Sequence, residues 1–294
     1  MTNIGIIGYG EVGGIFARGL RARGAGTIAT FDIDPAARAR AASEGHANSA
    51  DTPKDAVAAA DVVFVCVTAG SVLDACRSLA GALAHAPFVV DVNSVSPSTK
   101  QDASRVIAQA GGRYVEAAVM ASVPPKGLAS PMLLGGTHAA DFVAAMWSFG
   151  MDLRVFSDEI GRASSVKMCR SIMIKGLEAL TTECMLTARH YGVERDVLAT
   201  MGDTLPHENW PQLARYVISR ALIHGRRRAE EMREVARTVE EAGVAPMLSR
   251  SIVERQDWAW RQGRAMGRDG RDAADLDALL DALTAATRMD AAAD

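Results

Sequence analysis

The residues best suited to chemistry begin at Gly8. Gly8-Tyr9-Gly10-Glu11-Val12-Gly13 has the pattern Gly-x-Gly-x-x-Gly, follows the apolar run Ile4–Ile7, and opens a helical stretch from Glu11 to about Arg23. In that setting the first glycine permits a tight turn, the second lets backbone approach a pyrophosphate, and the third lets helix and strand pack. The helix N-terminus adds free N–H groups and a positive dipole. Asp32 ends the next apolar run about 20 residues beyond Gly13, where a carboxylate accepts hydrogen bonds from the adenosine ribose hydroxyls and repels a 2′-phosphate. No basic residue immediately follows it, and Arg38 lies on the next helix. The pattern therefore predicts NAD in preference to NADP. A glycine-rich turn beside an exposed acid is the structural alternative.

A second group lies on one long predicted helix, Ser164–Tyr191. At 100° per residue, Lys167, Ser171, Lys175 and Glu178 fall within an arc of about 80°. Around that stripe stand Val166, Met168, Cys169, Ile172, Met173, Ile174, Leu177 and Leu180, an apolar surface wider than a solvent-facing helix needs. Polar groups on such a helix require partners or a cavity. Lys167 suits proton transfer to and from a substrate oxygen. The structural alternatives are a Lys167 that reaches to water and a Lys175–Glu178 pair. His46, His85 and His138 read as surface groups. His224, beside Gly225 and Arg226-Arg227-Arg228, reads either as a helix-face residue or as a group for an anionic substrate. No His/Cys/Asp/Glu set has metal spacing, and no Ser-His-Asp arrangement lies in a nucleophile elbow.

These groups need elements to position them. Short β-rich runs alternate with helical stretches as far as Phe156, at Ile4–Ile7, Thr27–Asp32, Val62–Val67, Phe88–Val92, Tyr114–Val119, Met132–Leu134 and Leu153–Phe156. That alternation predicts βαβ units and a parallel sheet, and continuous apolar runs such as Val62–Val67 predict cover on both faces. From about residue 160 the pattern is helical: Ser164–Tyr191, Glu194–Met201, Pro211–Arg220, Arg227–Ala242, Met247–Gln262 and Ala274–Thr287, with a frayed acidic end at Asp290–Asp294. The expected organisation is a doubly wound α/β Rossmann domain over residues 1–160 and an all-α domain over residues 161–294.

The 294 residues, 49% apolar and 23% charged, predict a folded chain, and 32 basic against 35 acidic residues give no field for nucleic acid. No apolar run reaches the roughly 20 residues that span a bilayer, and no leader precedes Ile4. Cys66, Cys76, Cys169 and Cys184 lie in apolar runs where reduced thiols pack. A cytoplasmic protein without membrane or nucleic-acid partners is the expectation.

The same blocks resemble the β-hydroxyacid dehydrogenases, the family of 6-phosphogluconate dehydrogenase and 3-hydroxyisobutyrate dehydrogenase, in register to about residue 180 and loosely to about residue 250. Asp91-Val92-Asn93-Ser94-Val95-Ser96-Pro97 resembles the family's strand that ends in a small polar loop before proline. The resemblance implies that Thr68, Ala69, Asn93 and Ser94 lie near the nicotinamide. In Glu116-Ala117-Ala118-Val119-Met120-Ala121-Ser122, Met120 takes the usual serine position and Ala121-Ser122 replace two glycines of the substrate loop. Gly161-Arg162-Ala163-Ser164-Ser165-Val166-Lys167 resembles the catalytic-lysine block, with Ser171 where the family has asparagine and Glu230-Glu231 where it has a Lys-Asp pair. The resemblance implies reversible NAD-linked oxidation of a small anionic substrate bearing a β-hydroxyl, in a homodimer paired through its helical domains with the site between domains. Lys167 would be acid and base, and Ser94, Met120, Ala121, Ser122, Ser171 and Lys175 would shape the substrate pocket. Imine reduction and a catalytically silent NAD-binding regulator are the rival readings. Lys167 argues against the first, and the changed Met120 and Ser171 positions favour the second.

Overall fold

The computed structural model describes residues 1–291 apart from Ala84 and Pro206. The chain divides into two compact units, Met1–Cys169 and Arg170–Asp294.

The first unit holds one sheet of eight strands: β1 (Ile4–Ile7), β2 (Ile28–Phe31), β3 (Asn48–Ser49), β4 (Val62–Val65), β5 (Phe88–Asp91), β6 (Arg113–Val119), β7 (Met132–Gly135) and β8 (Leu153–Ser157). Their order is β3-β2-β1-β4-β5-β6-β7-β8. Between them run α1 (Glu11–Ala22), α2 (Pro35–Glu44), α3 (Pro53–Val57), α4 (Val72–Ser78), α5 (Pro97–Gln109), α6 (Val123–Lys126) and α7 (Ala139–Met146). Alternate residues of the apolar strands feed two cores. Val62 and Phe64 pack with Phe16, Leu20 and Phe142, whereas Val63 and Val65 pack with Val57, Leu79 and Ile107. Burial on both faces explains why these strands show no polar alternation.

Two expectations are corrected here. β3, only two exposed residues long, has no apolar pattern to betray it. The sheet is also not parallel throughout, since β6 and β7 pair antiparallel. Ala121 to Pro131 hold only α6 and a 3₁₀ turn, too little for the crossover that a parallel pairing needs. β7 and β8 are parallel again, joined through α7.

A helix of 30 residues, α8 (Arg162–Tyr191), begins in the first unit and continues in the second. The second unit adds α9 (Glu194–Thr204), α10 (Trp210–Glu241), α11 (Met247–Ala265), α12 (Gly267–Arg271) and α13 (Leu276–Ala291). Its core gathers Met185, Trp210, Ile218, Leu222, Ala259, Leu279, Leu280 and Leu283. The helices expected at Pro211–Arg220 and Arg227–Ala242 are one helix of 32 residues. Gly225, which falls in the gap between the two expected helices, is a close-packing position, because a Cβ there would lie 2.3 Å from the Gln256 carbonyl oxygen on α11. Gly263 is its counterpart, with the Leu222 carbonyl oxygen 2.4 Å from where its Cβ would stand. The last helix continues to Ala291, and the rest of the expected frayed end lies outside the described residues. Among the described residues no helix is long and apolar enough to cross a membrane.

Candidate active site

Strand register sets the geometry of the first unit. Phe31 pairs with Ile7, Ile7 with Val65, Val65 with Asp91 and Asp91 with Glu116, so five strands reach one row. The order reverses between β1 and β4, and in open α/β sheets ligands bind beyond the strand C-termini at such a switch point. Of the residues singled out by sequence, Gly8–Gly13 follow β1, Asp32 follows β2, Thr68 and Ala69 follow β4, Asn93 and Ser94 follow β5, and Met120, Ala121 and Ser122 follow β6. The sheet thus brings them to one edge.

The glycine loop has the shape a dinucleotide cradle requires. Gly8 has φ +97°, and a Cβ there would lie 2.4 Å from the Cys66 carbonyl oxygen. At Gly13 a Cβ would stand 2.0 Å from the Gly8 carbonyl oxygen. Gly10 is exposed and would meet nothing within 4 Å, which leaves open space above the first turn of α1. No side chain caps that turn, so its N–H groups and dipole are available to a pyrophosphate. These residues fit a nicotinamide dinucleotide.

Asp32 supports the loop as well. Its Oδ2 accepts from the Tyr9 amide at 2.6 Å and its Oδ1 from the Asp34 amide at 2.8 Å. A carboxylate has about four acceptor sites, so two remain. Tyr9 is buried; its hydroxyl donates to Glu44 at 2.9 Å and its carbonyl accepts from Arg40 at 2.8 Å. Arg38, although on α2, reaches back to donate to the Asp32 carbonyl at 2.6 Å and lies 5.6 Å from the centre of the Phe31 ring. A cation therefore does stand at the end of β2, contrary to the reading by sequence distance.

Asn93 is held by a buried polar network that sequence inspection missed. Its amide N–H and its Nδ2 donate to Asp91 Oδ1 at 2.9 and 2.6 Å, and Nδ2 also reaches the Val65 carbonyl at 3.0 Å. Tyr114 donates to Asp91 Oδ2 at 2.8 Å, and Lys100 Nζ lies 3.0 Å from the same oxygen. Asp91 and Lys100 are fully buried. Burial, with Asp91 beside it, pushes the Tyr114 hydroxyl well above its ordinary range and keeps it a donor.

Glu116 was also not singled out as a site residue. Fully buried at the end of the same strand row, it accepts from the Gly161 amide at 2.6 Å and the Ser164 amide at 2.5 Å. Its carboxylate thus caps the N-terminus of α8 and meets the positive end of the helix dipole. Gly161 has φ +102°, and a side chain at Gly135 would collide with Glu116 Oε2, 2.5 Å from a Cβ. Partly buried Lys167 lies five residues into α8, about 7.5 Å along its axis from Arg162. The row of strand ends therefore fixes the start of the helix that carries this lysine. A carboxylate within β6, three positions before Val119, was visible in sequence, but its target was not.

Ser171 and Lys175 belong to the second unit. Lys175 Nζ is 2.7 Å from Glu231 Oε2 on α10 and 3.4 Å from Ser171 Oγ. The alternative Lys175–Glu178 pair is not formed: Glu178 pairs with Arg228 and accepts from Gln256 at 3.0 Å. Burial raises the Glu178 carboxyl above its usual range against the pull of Arg228 and Gln256. His224 lies 2.8 Å from Arg220. Cys66 and Cys76 are at least partly buried, but Cys169 and Cys184 are exposed on α8, so only the first pair packs as expected. Among the described residues no three His, Cys, Asp or Glu groups could hold a metal.

Comparison with known proteins agrees with this architecture. Residues 3–145 match the NAD-binding domain of 6-phosphogluconate dehydrogenase, and residues 188–259 match a domain family of unknown function, DUF1932. A conserved hypothetical protein from Sinorhizobium meliloti 1021 is 36% identical with a TM-score of 0.75, over 97% of both chains. Conserved protein MTH1747, whose structure was described as similar to 3-hydroxyacid dehydrogenases, is 32% identical with a TM-score of 0.68. That likeness covers 89% of this chain and 99% of MTH1747. Mycobacterium tuberculosis 3-hydroxyisobutyrate dehydrogenase shares the fold at 18% identity and a TM-score of 0.68, over 96% of this chain and 99% of that one. An imine reductase from Myxococcus stipitatus also shares it, at 18% identity and a TM-score of 0.57, over 96% and 99%. The fold is that of the hydroxyacid dehydrogenases, with an NAD-binding domain of the 6-phosphogluconate dehydrogenase type. This chain belongs to the β-hydroxyacid dehydrogenase family, in a divergent branch that joins the 6-phosphogluconate dehydrogenase NAD-binding domain to a DUF1932 helical domain.

Proposed function

We propose that this protein catalyses reversible NAD-linked oxidation of a small hydroxy acid or sugar acid at its β-hydroxyl carbon, with Lys167 as acid and base. The observation that carries the proposal is the Glu116 cap, which ties the lysine-bearing helix to the strand-end row that carries the dinucleotide cradle. Residues 1–160 are assigned to cofactor binding and residues 161–294 to substrate binding and pairing. Gly8 to Gly13 would hold the pyrophosphate, Asp32 the ribose, and Thr68, Ala69 and Asn93 the nicotinamide end. A bound nicotinamide dinucleotide supplies the hydride acceptor or donor. Lys167 Nζ takes the hydroxyl proton during oxidation and returns it during reduction. Ser94, Met120, Ala121, Ser122, Ser171 and Lys175 are assigned to substrate recognition. NAD is preferred on the strength of Asp32, although Arg38 beside it weakens the discrimination. A cytoplasmic location is part of the same reading.

Replacing Lys167 with alanine tests the mechanism. NAD should still bind, measured by calorimetry, while turnover across a panel of hydroxy acids, sugar acids and their phosphates falls about 10²–10⁴-fold. Unchanged turnover would sink the assignment, and a wild-type protein inactive on the whole panel would favour the silent regulator. Imine reduction is a second reading, supported by the fold shared with the Myxococcus stipitatus imine reductase and by Met120 in place of a hydroxyl group. Activity on C=N substrates that survives loss of Lys167 would establish it. Homodimerisation is supported by the apolar surface of α8, where Met173 is 74% and Leu180 70% exposed. A groove lined by Leu180, Cys184, Ala188, Tyr191, Val193 and Val197 continues that surface. Large apolar patches mark association sites. Light scattering that finds a monomer for the wild type, or a dimer unaffected by Leu180→Glu, would refute this pairing.

A further inference from the structure

One side of α10 in the helical unit is crowded with cations. Arg220, His224, Arg227, Arg228 and Glu231 recur every three or four residues on α10 and so share one side of it. Glu231 serves both Lys175, at 2.7 Å, and Arg227, at 2.9 Å. Glu178 serves Arg228 and Gln256. Three cations, Lys175, Arg227 and Arg228, thus share two carboxylates, and Arg220 bonds to His224. The Nε atoms of Arg220 and Arg228 are buried and make no hydrogen bond among the described residues.

The chemistry of the Arg220–His224 contact sharpens the point. A guanidinium only donates, so His224 Nε2, 2.8 Å from Arg220 Nη1, must accept, and the ring proton lies on Nδ1. Burial and the nearby Arg220, Arg227 and Arg228, opposed by Glu231, push His224 down to about 4, so the ring is neutral near pH 7. Burial and the neighbouring Arg228 likewise lower Arg220, opposed by Tyr216 and by Glu178, a carboxylate that Arg228 and Gln256 already occupy. A partly desolvated guanidinium among other guanidinium groups is costly without a counter-charge. An oxyanion can accept from two arms of an arginine fork and from an imidazole N–H, and it offsets the mutual repulsion.

We propose that Arg220 and His224, backed by the charges of Arg227 and Arg228, form a binding site for an oxyanion, either a carboxylate or a phosphate group. The proposal uses none of the residues assigned above to hydride or proton transfer and stands whether or not that reaction is correct.

Sodium phosphate and sodium malonate, each compared with sodium chloride at equal ionic strength, are titrated into the full-length protein and followed by calorimetry and thermal unfolding. The expected result is saturable binding of phosphate or malonate that weakens about tenfold or more in Arg220→Gln, the loss of one charge-assisted hydrogen bond. Arg268→Gln, an exchange of a surface arginine, should leave it unchanged. Should Arg220→Gln fail to fold, NMR of the His224 ring in the wild type is decisive: phosphate should shift its resonances at saturation while those of exposed His85 and His190 stay put. Where NAD-linked turnover is found, competition by phosphate against substrate marks the oxyanion as a substrate group, and non-competitive behaviour marks a separate ligand; both uphold the site. No saturable binding, equal binding by Arg220→Gln, or an unshifted His224 ring overturns it.

Discussion

Removing the Glu116 carboxylate should damage the protein in a way that can be calculated. It accepts two hydrogen bonds, from the Gly161 and Ser164 amides, and is fully buried. Bonds to a buried charge contribute about 1.5–3 kcal/mol each, so Glu116→Ala should cost about 3–6 kcal/mol. Glu116→Gln keeps one acceptor oxygen and turns an NH₂ group towards the second amide, so about half of that loss is expected. For a chain of this size 1 kcal/mol moves Tm by roughly 2–4 °C, which makes the alanine variant melt about 6–24 °C below the wild type. Hydrogen exchange locates the effect: the Gly161 and Ser164 amides should lose protection while the sheet interior keeps it. Gly135→Ala should reproduce the defect, because its Cβ would lie 2.5 Å from Glu116 Oε2. NAD affinity should change little, since the glycine loop takes no contact from Glu116. A loss below about 1 kcal/mol in Glu116→Ala, with both amides still protected, would refute the cap and the argument that it positions Lys167.

Two further outcomes follow from buried charge. Lys100→Met leaves the Asp91 carboxylate facing Asn93 and Tyr114 without its cation, and breaking a buried pair costs about 3–5 kcal/mol. Denaturant unfolding checks this, and a loss under about 1 kcal/mol would show that the neutral donors suffice. His224 titrates near 4 when folded and near 6.5 when unfolded, so the unfolded chain takes up the proton first as pH falls. Stability should therefore be lost progressively between pH 6.5 and about 4. Glu178, raised by burial, works in the opposite sense, so the test is the difference between wild type and His224→Gln. The variant should show a shallower fall across that window, and parallel curves would remove His224 as the cause.

The glycine cradle, Asp32 and the place of Lys167 were legible because their signals are local. Gly8, Gly10 and Gly13 act within one turn and one helix start, and Asp32 lies at the next strand end. Groups whose roles depend on distant partners were not legible. Lys100 and Tyr114 reach Asp91 from neighbouring elements, and nothing in their own segments marks them as buried donors. Arg38 looked remote in sequence, yet a helical turn folds it back over the Asp32 carbonyl. Sequence distance is a poor guide wherever a helix reverses the chain beside its own strand.

Gly225 shows the same limitation and also explains the charge cluster. An isolated glycine in a helical pattern reads as a stop, because glycine is a weak helix former. Its use here lies outside α10, where the missing side chain lets α11 approach until the Gln256 carbonyl would be 2.3 Å from a Cβ. That approach carries the Gln256 amide to Glu178, 78 residues away, and so completes the partners of a carboxylate that α8 would otherwise leave with Arg228 alone. Bulk at position 225 would separate α10 from α11 and withdraw that amide. The helix-face periodicity put Lys175 and Glu178 on one stripe and offered their pairing only as the structural alternative, since an i,i+3 neighbour is the nearest partner a single helix can offer. Packing two further helices against that stripe offered better ones, Glu231 of α10 for Lys175, and Arg228 of α10 with Gln256 of α11 for Glu178.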